Sequence, residues 1–314
     1  MSDSGDLALG PARAVRPRRF ARLQTAMADA ARDVDATLEL VLPQPQGLHR
    51  RVHEAMRYAV FAGGKRLRPC LVLSSAELFG VDPQRALKVA AAIEALHTYS
   101  LVHDDLPCMD DDDLRRGQPT THIQFDEATA VLAGDALLTV AFEILSHPDT
   151  HSSAEARCRL VAHLAKAAGN AGMIGGQMID IEAPNRTFDR GDVIALQRMK
   201  TGALFEFSCE AGAILAQAPA ADCERLREYA RHFGLIYQIT DDLLDVVGTR
   251  EQTGKAVGKD QQQGKATLVS LLGVEGARTE AAKLARNAVN ALESYDHRAE
   301  VLRDLPFFLL DRES

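Results

Sequence analysis

The chain has 314 residues, of which 46% are hydrophobic and 25% are charged, a composition typical of a globular protein with a sizeable core. Its formal net charge of −8 argues against nucleic acid as a partner, because phosphate backbones are bound by basic surfaces. No run of about 18 apolar residues is present, so we expect no transmembrane helix.

Residues 1–19 combine prolines, glycines and arginines with Asp3 and Asp6. We interpret them as a disordered basic tail, because a targeting peptide, the alternative, would be poor in acidic residues. No apolar segment typical of secretion follows. The five cysteines form no C-x-x-C pair and are odd in number, which favours reduced thiols in a cytoplasmic protein over a disulfide framework or a zinc site.

From residue 20 onward, apolar residues recur every three or four positions, which predicts helices almost to the end of the chain. Glycine and proline clusters such as Gly63-Gly64, Gly80–Pro83 and Gly175-Gly176 are predicted to interrupt them. No segment alternates apolar and polar residues long enough to predict a strand. The segment Gln84–Asp105 is apolar on most of its helical circumference, so we expect it inside a bundle. The prediction is one all-α domain over residues 20–314.

The first charged group in chain order is Lys65-Arg66-Leu67-Arg68, which follows two glycines just ahead of a predicted helix. Ammonium and guanidinium groups bind phosphate oxygens well. The segment lacks the spacing of a nucleotide-binding P-loop, and no predicted strand precedes it. Ordinary surface charge is the alternative reading.

An acidic cluster ends the next helix. Asp104 and Asp105 are followed by four other residues and then by Asp110 to Asp113, and Arg115-Arg116 comes directly afterwards. His97 lies seven residues before Asp104, hence on the same helix face about two turns away. A hydrogen-bonded core histidine is the alternative for His97.

A second acidic cluster, Asp241-Asp242-Leu-Leu-Asp245, ends a later helix, and its first and last members share a helix face. Like charges this close repel, so we expect a cation to offset them. Carboxylates without Cys or His suit magnesium, which takes one or two carboxylates plus water and phosphate oxygens. For a single cluster a solvated helix end is the alternative, and calcium-loop spacing is missing from both.

Further cations are Lys200, which precedes Thr201, and the lysines of a late Gly- and Gln-rich segment, Lys255, Lys259 and Lys265. Acidic clusters that suit a metal, together with basic groups that suit phosphate, predict a diphosphate substrate held through metal ions.

These segments resemble, in order, the motifs of the trans-prenyl diphosphate synthase family. His97–Gly117 resembles the first aspartate-rich motif of the family and Tyr237–Asp245 the second. Further matching blocks are Gly64–Pro69, Gly175–Asp180, Lys200–Gly202 and Gly254–Lys265. The resemblance runs from about residue 20 to the C-terminus. It implies an isoprenoid synthase-type helical bundle around a central cavity, and a homodimer.

The resemblance also implies a role for each matching residue. Three magnesium ions would be bound by Asp104, Asp110 and Asp241. Their shells would be completed or supported by Asp105, Asp242 and Asp245. The allylic diphosphate would be contacted by Arg115, Lys200 and Lys255, with Lys265 nearby. The diphosphate of isopentenyl diphosphate would be bound by Lys65, Arg68, His97 and Arg116. The developing carbocation would be faced by Thr201 and Gln238.

Product length is predicted from the residues just before the first aspartate cluster. Ser100 lies four residues before Asp104 and shares its helix face, whereas Tyr99 is about 140° away, so helical geometry alone does not place it along the substrate chain. The resemblance does, because a bulky aromatic residue at this position accompanies shorter products. An ordinary core residue is the alternative for Tyr99. It implies condensation of isopentenyl diphosphate with dimethylallyl or geranyl diphosphate to farnesyl diphosphate.

Three alternatives remain. A geranylgeranyl diphosphate synthase would share all these motifs. A non-catalytic regulatory subunit would be expected to lack some of the aspartates or cations, and none is missing. A terpene cyclase would typically carry an Asn/Ser/Glu metal motif in place of Asp241–Asp245.

Overall fold

The structure is a computed structural model that describes residues 20–183, 186–247 and 267–311. Over these ranges the chain forms a bundle of α-helices, which confirms the predicted all-α class. The helices are α1 (Ala21–Val41), α2 (Arg50–Phe61), α3 (Leu67–Leu78), α4 (Pro83–Asp104), α5 (Thr121–Gln124), α6 (Glu127–Ser146), α7 (Ala154–Ala168), α8 (Met173–Glu182), α9 (Arg190–Gln197), α10 (Ala203–Leu215), α11 (Ala220–Val247), α12 (Leu268–Asn290) and α13 (Glu300–Asp311). A π-helical turn, Arg198–Gly202, joins α9 to α10, and a 3₁₀ turn, His297–Ala299, precedes α13.

Helix α4 lies inside the bundle, as its apolar circumference predicted. It packs against α3 and α6, and most of its side chains are buried. The Asp82 side chain accepts a hydrogen bond from the Gln84 amide, and Pro83 begins the helix. The helix ends at Asp104, so the interior of the bundle leads directly to the first aspartate cluster.

Two neighbouring helices, α3 and α10, separate the apolar interior into two large clusters. Phe205 and Cys209 of α10 belong to a cluster built with α11, α12 and α13. Leu204 and Phe207 of the same helix belong to a cluster built with α4, α6 and α7. Because α10 is apolar on both sides, it fixes the π-helical turn that precedes it between the two halves of the core.

The only strands in the described ranges are the two-residue β1 (Leu114–Arg115) and β2 (Gln118–Pro119), which pair antiparallel. The sequence did not predict them, because two residues cannot show a period. Arg116 and Gly117, at the turn between them, both have positive φ, at 53° and 79°, as in a tight hairpin turn. The hairpin carries the two arginines that follow the first aspartate cluster.

The predicted break at Gly175-Gly176 is wrong, because both residues lie inside α8. A Cβ atom on Gly176 would lie 2.3 Å from the Lys200 backbone nitrogen. Glycine is therefore needed here for the close approach of α8 to the π-helical turn, and packing outweighs its cost of about 1 kcal/mol in a helix.

One helix of the described ranges, α6, is long and apolar enough to cross a membrane by length and composition alone. It packs against α2, α4, α5 and α7 as a member of the bundle. Central helices of globular bundles pass the same test, so this finding does not identify a membrane segment. All five cysteines are free thiols. The predicted tail, residues 1–19, and the lysines Lys255, Lys259 and Lys265 lie outside the described residues.

Candidate active site

The two aspartate clusters, far apart in the sequence, border one cavity of about 440 Å³ between α3, α4, α11 and the π-helical turn. We call it the polar cavity. Most of the predicted site residues line it. Its described lining is Arg68, His97, Leu101, Asp104, Asp110, Arg115, Arg116, Asp180, Leu196, Gln197, Lys200, Thr201, Tyr237, Gln238, Asp241, Asp242 and Thr267.

A second cavity, of about 610 Å³, lies beside the polar cavity between α4, α6 and α8. It is lined mainly by apolar and aromatic side chains, and we call it the apolar cavity. The residues that line both cavities are Arg68, His97, Leu101, Asp104, Lys200 and Thr201. A charged cavity therefore adjoins an apolar one, an arrangement that suits a ligand with an anionic head and a hydrocarbon chain.

Tyr99 and Ser100 both line the apolar cavity, together with Met109, Leu138 and Met173. Tyr99 is only 6% exposed, and burial raises the pKa of its hydroxyl to about 12, with a further contribution from Asp104. Helical geometry alone did not place Tyr99 on the same helix face as Asp104. The neighbouring helices bring it to the cavity wall.

Three predicted residues, Lys65, Asp105 and Asp245, line neither cavity. Asp105 is 3% exposed, and its Oδ1 accepts a hydrogen bond from the Arg115 Nε at 2.6 Å. Burial raises the pKa of Asp105 while the Arg115 guanidinium lowers it. Asp105 thus holds Arg115, whose side chain does reach the polar cavity.

Arg66, which the sequence grouped with Lys65 and Arg68, faces away from the site. Its guanidinium is buried, donating to Glu94 at 2.7 Å and to Asp35 at 2.9 Å. It begins α3 with a positive φ of 46°. Arg66 is therefore a structural ion-pair residue, whereas Arg68 lines the polar cavity.

Arg68 and His97 form the cationic end of the polar cavity. The Arg68 Nη1 donates to the His97 Nε2 at 3.2 Å, so the imidazole accepts and carries its proton on Nδ1. Burial, together with the Arg68 charge, holds the pKa of His97 well below its ordinary value, which keeps the ring neutral. The Arg68 guanidinium lies 4.6 Å over the Phe205 ring, and its buried Nε has no hydrogen-bond partner among the described residues.

Lys200 donates to the Asp180 Oδ2 at 2.6 Å, and both side chains line the polar cavity. Asp180 belongs to the Gly175–Asp180 block, but the sequence analysis gave it no role. The feature of the sequence that could have indicated a role is that Asp180 is a carboxylate at the end of a Gly-rich block resembling the family motif. The contact shows that this carboxylate holds the ammonium group at the junction of the two cavities.

A hydrogen-bond chain crosses the floor of the polar cavity. The Thr201 hydroxyl donates to Gln238 Oε1 at 3.1 Å, and Gln238 Nε2 donates to Asp242 Oδ1 at 3.2 Å. Gln197, which sequence reasoning missed, approaches the other oxygen of Asp242 at 3.5 Å. Tyr237 lines the cavity and packs edge-on against Phe205 at 5.2 Å, forming an aromatic wall.

Burial raises the pKa of Asp104 to about 6, with Asp110 and Asp105 adding to the effect and Lys200 and Arg115 opposing it. A cation near Asp104 would offset this unfavourable charge. Among the described residues, however, no group of three or more Asp, Glu, His or Cys side chains forms a ready metal site. The donor set fits magnesium, which completes its shell with water and substrate oxygens, better than it fits a metal enclosed by protein ligands.

A separate cavity of about 590 Å³ lies between α7, α10 and α11. It contains His163, Glu206, Glu210 and Arg227 but none of the predicted site residues. Its buried Glu210 is already paired, with the His163 Nδ1 at 3.0 Å. Of this cavity and the polar cavity, only the polar cavity therefore has the acidic pairs and cations that suit a metal-bound diphosphate.

Comparison with known proteins shows the family to which the chain belongs. A sequence model of the Polyprenyl synthetase family matches residues 49–305. The chain is 47% identical to the farnesyl diphosphate synthase of Bacillus subtilis over 261 residues, 82% of this chain and 87% of that protein. It is 43% identical to a chloroplastic geranylgeranyl pyrophosphate synthase of Arabidopsis thaliana, over 85% of this chain and 74% of that one. A crystal structure of an FPP/GFPP synthase from Zymomonas mobilis superimposes with a TM-score of 0.85 at 46% identity, covering 92% of this chain and 99% of that chain. The protein belongs to the polyprenyl synthetase family.

Proposed function

We propose that the protein condenses isopentenyl diphosphate with dimethylallyl or geranyl diphosphate to give farnesyl diphosphate, with release of diphosphate. The observation that carries this proposal is the shared wall of the polar and the apolar cavity. Carboxylates and cations line the polar cavity, and Tyr99 lines the apolar cavity. The relatives named farnesyl diphosphate synthase support the same substrates.

In the proposed mechanism, Asp104, Asp110 and Asp241 would hold magnesium, which would supply positive charge beside the leaving diphosphate. Lys200 and Arg115 lie beside that charge and stabilise it further. As the allylic C–O bond breaks, the electron pair leaves with the diphosphate and an allylic cation remains. Thr201 and Gln238 present oxygens along the cavity wall where that cation forms.

Arg68, His97 and Arg116 hold isopentenyl diphosphate by its diphosphate group. Its double bond forms the new carbon–carbon bond to the allylic cation, and the resulting cation loses a proton to the released diphosphate. The Tyr237 ring, which packs on the buried Phe205, keeps water from the cation.

The test is incubation of the purified protein with magnesium, isopentenyl diphosphate and dimethylallyl or geranyl diphosphate, followed by chromatography of the products. We expect a fifteen-carbon diphosphate. A twenty-carbon product would favour the geranylgeranyl alternative. A cyclic hydrocarbon would favour a terpene cyclase, and no product would favour a regulatory subunit.

Tyr99 is proposed to limit chain growth, because its buried ring forms part of the wall of the apolar cavity. Tyr99→Ala removes the ring, so we expect products to shift from fifteen toward twenty carbons or more. Ser100→Ala is the matched control, since it changes the neighbouring wall by only one hydroxyl. Unchanged fifteen-carbon product from Tyr99→Ala would exclude this role.

We also propose a cytoplasmic homodimer. Free thiols on all five cysteines support a reducing compartment. Helices α6 and α8 both border the apolar cavity and carry exposed apolar side chains. These side chains are Val131, Leu132, Ile174, Met178 and Ile181. A second copy of the chain could bury them.

A further inference from the structure

The Tyr99 ring has an aromatic neighbour one helical turn further along α4. The His103 ring lies edge-on to it, with centroids 5.5 Å apart and planes 88° apart. Such a geometry is favourable for two aromatic rings and fixes their relative orientation. Both rings line the apolar cavity, so whatever holds His103 also limits the movement of Tyr99.

His103 is held from the opposite side by α6. The His103 Nε2 lies 3.0 Å from the Val131 carbonyl oxygen, so Nε2 carries the proton and donates it. The Asp135 carboxylate lies 4.0 Å from the same nitrogen. The His103 side chain is 26% exposed, which leaves part of the ring at the cavity surface.

The space for the His103 ring exists because residue 134 is glycine. A Cβ atom on Gly134 would lie 2.1 Å from the His103 Nε2 and 2.4 Å from its Cδ2. These distances are far shorter than any contact between nonbonded atoms, so an added methyl group would push the ring toward Tyr99 and the cavity.

We infer that product length is set by Tyr99, His103 and Gly134 together, and that His103 is a positioning residue that holds the Tyr99 ring in the wall of the apolar cavity. This inference rests on the proposed condensation. It assigns a specificity role to His103 beyond its place beside the metal-binding Asp104. Gly134 takes part by admitting the imidazole between α4 and α6.

The inference predicts opposite effects for two substitutions. His103→Ala removes the support of the Tyr99 ring, so the ratio of twenty- to fifteen-carbon product should rise at least fivefold. Gly134→Ala drives the imidazole into the cavity, so the ratio of ten- to fifteen-carbon product should rise. Both ratios are measured by chromatography with isopentenyl diphosphate in excess over dimethylallyl diphosphate.

Double variants show whether the substitutions act through the same contact or through a general loss of packing. In the double variant, which combines His103→Ala with Gly134→Ala, the imidazole is absent. The methyl group added at position 134 then meets no ring, so the products should match those of His103→Ala alone. In a Tyr99→Ala background, His103→Ala should lengthen the products no further. His103→Gln keeps a donor for the Val131 carbonyl and should give a smaller shift than His103→Ala.

The controls separate the possible failures. Gly276→Ala, a helix substitution far from the cavity, should leave the product ratios unchanged. If the wild type forms no condensation product, the proposed function fails. The inference about His103 is wrong if the wild type forms fifteen-carbon product and His103→Ala gives the same product ratios as the wild type. This holds at any turnover rate of the variant, and also if Gly134→Ala does not fold.

Discussion

The Asp104 carboxyl group lies at the end of α4, partly buried, with Asp110 and Asp105 nearby and Lys200 and Arg115 opposite. Its pKa of about 6 in the folded protein exceeds the ordinary value of 3.8. Between these values the folded state binds more protons than the unfolded state, so stability falls as the pH rises through this window. At neutral pH the metal-free protein therefore carries the full cost of ionising this group.

Asp104→Asn should consequently stabilise the metal-free protein at pH 7.5, by about 1–3 kcal/mol of unfolding free energy. At pH 4 the two proteins should be nearly equal, since Asp104 is then largely protonated. The measurement is denaturant unfolding in the presence of a chelator at both pH values. Turnover should fall by orders of magnitude, because a proposed metal ligand is lost.

Asp113→Asn is the control for this experiment, because Asp113 is an exposed residue of the same acidic segment that lines neither cavity. It should change stability little at either pH. Destabilisation by Asp104→Asn at pH 7.5 would mean that the carboxylate is needed for folding and is not a source of repulsion.

The two diphosphate subsites should respond to different substitutions. Arg68→Ala leaves His97 without its hydrogen-bond donor and should raise the KM for isopentenyl diphosphate about tenfold or more, since a charge-assisted bond contributes about 1.5–3 kcal/mol. Lys200→Ala should act mainly on the KM for geranyl diphosphate. Steady-state kinetics with each substrate varied in turn makes the comparison. Equal effects of both variants on both substrates would refute the assignment.

At the scale of elements, the approach of α8 to the π-helical turn determines where Lys200 points. The turn places Lys200 and Thr201 at the junction of the two cavities. Asp180 of α8 reaches across to hold the ammonium group. π-Helical turns are rare and are found often at functional sites. Here the turn is supported by a glycine of α8, so its geometry depends on a contact between two elements.

Gly176→Ala should therefore reduce both stability and activity. The added methyl group meets backbone atoms of Lys200, which cannot rotate away, so a loss of about 1–3 kcal/mol in unfolding free energy is expected. A displaced Lys200 should also lower kcat/KM for geranyl diphosphate. Thermal unfolding and kinetics of the same preparation provide the test.

Gly276→Ala in α12 is the matched helix substitution. There the nearest atom to an added Cβ is the Leu272 Cβ at 3.2 Å, and alanine is the better helix former. Its stability should fall less than that of Gly176→Ala, because the close contact is with one side-chain atom and not with the backbone of another element. Wild-type activity in Gly176→Ala would show that the π-helical turn tolerates displacement.

At the scale of the whole molecule, exposed apolar side chains are concentrated on the helices beside the apolar cavity. Leu132 of α6 is 58% exposed and its neighbour Val131 is 40% exposed, whereas Leu137 and Ala141 of the same helix are buried in the bundle. If this surface joins two copies, Leu132→Glu places a charge in the interface and should shift the protein from dimer to monomer. Sedimentation equilibrium across a range of concentrations measures the change.

Leu48→Glu is the control for that measurement. Leu48 is fully exposed, but it precedes α2 and does not line the apolar cavity. It should leave the association constant unchanged. A monomeric wild type, or equal association of both variants, would exclude the α6 surface as the interface.

The sequence determined the helical class and the burial of α4, and it predicts a metal-binding role for both aspartate clusters. These properties depend on residue type and on periodicity within single segments, which the chain displays without any partner. The order of the motifs was also sufficient to predict the family. That Asp104 and Asp241 border one cavity followed from the resemblance, since no local pattern joins segments so far apart.

Only the tertiary structure decided which members of each charged segment face the site. Arg66 turns into the core to pair with Glu94, whereas Arg68 reaches the polar cavity. Asp105 holds Arg115 behind the cavity that Asp104 lines. Successive residues of a helix point about 100° apart, so the rotation of the helix against its neighbours selects among them. That rotation is fixed by packing between distant elements. At Gly176 and Gly134, for example, glycine is required because the Lys200 backbone and the His103 ring fill the space of a side chain.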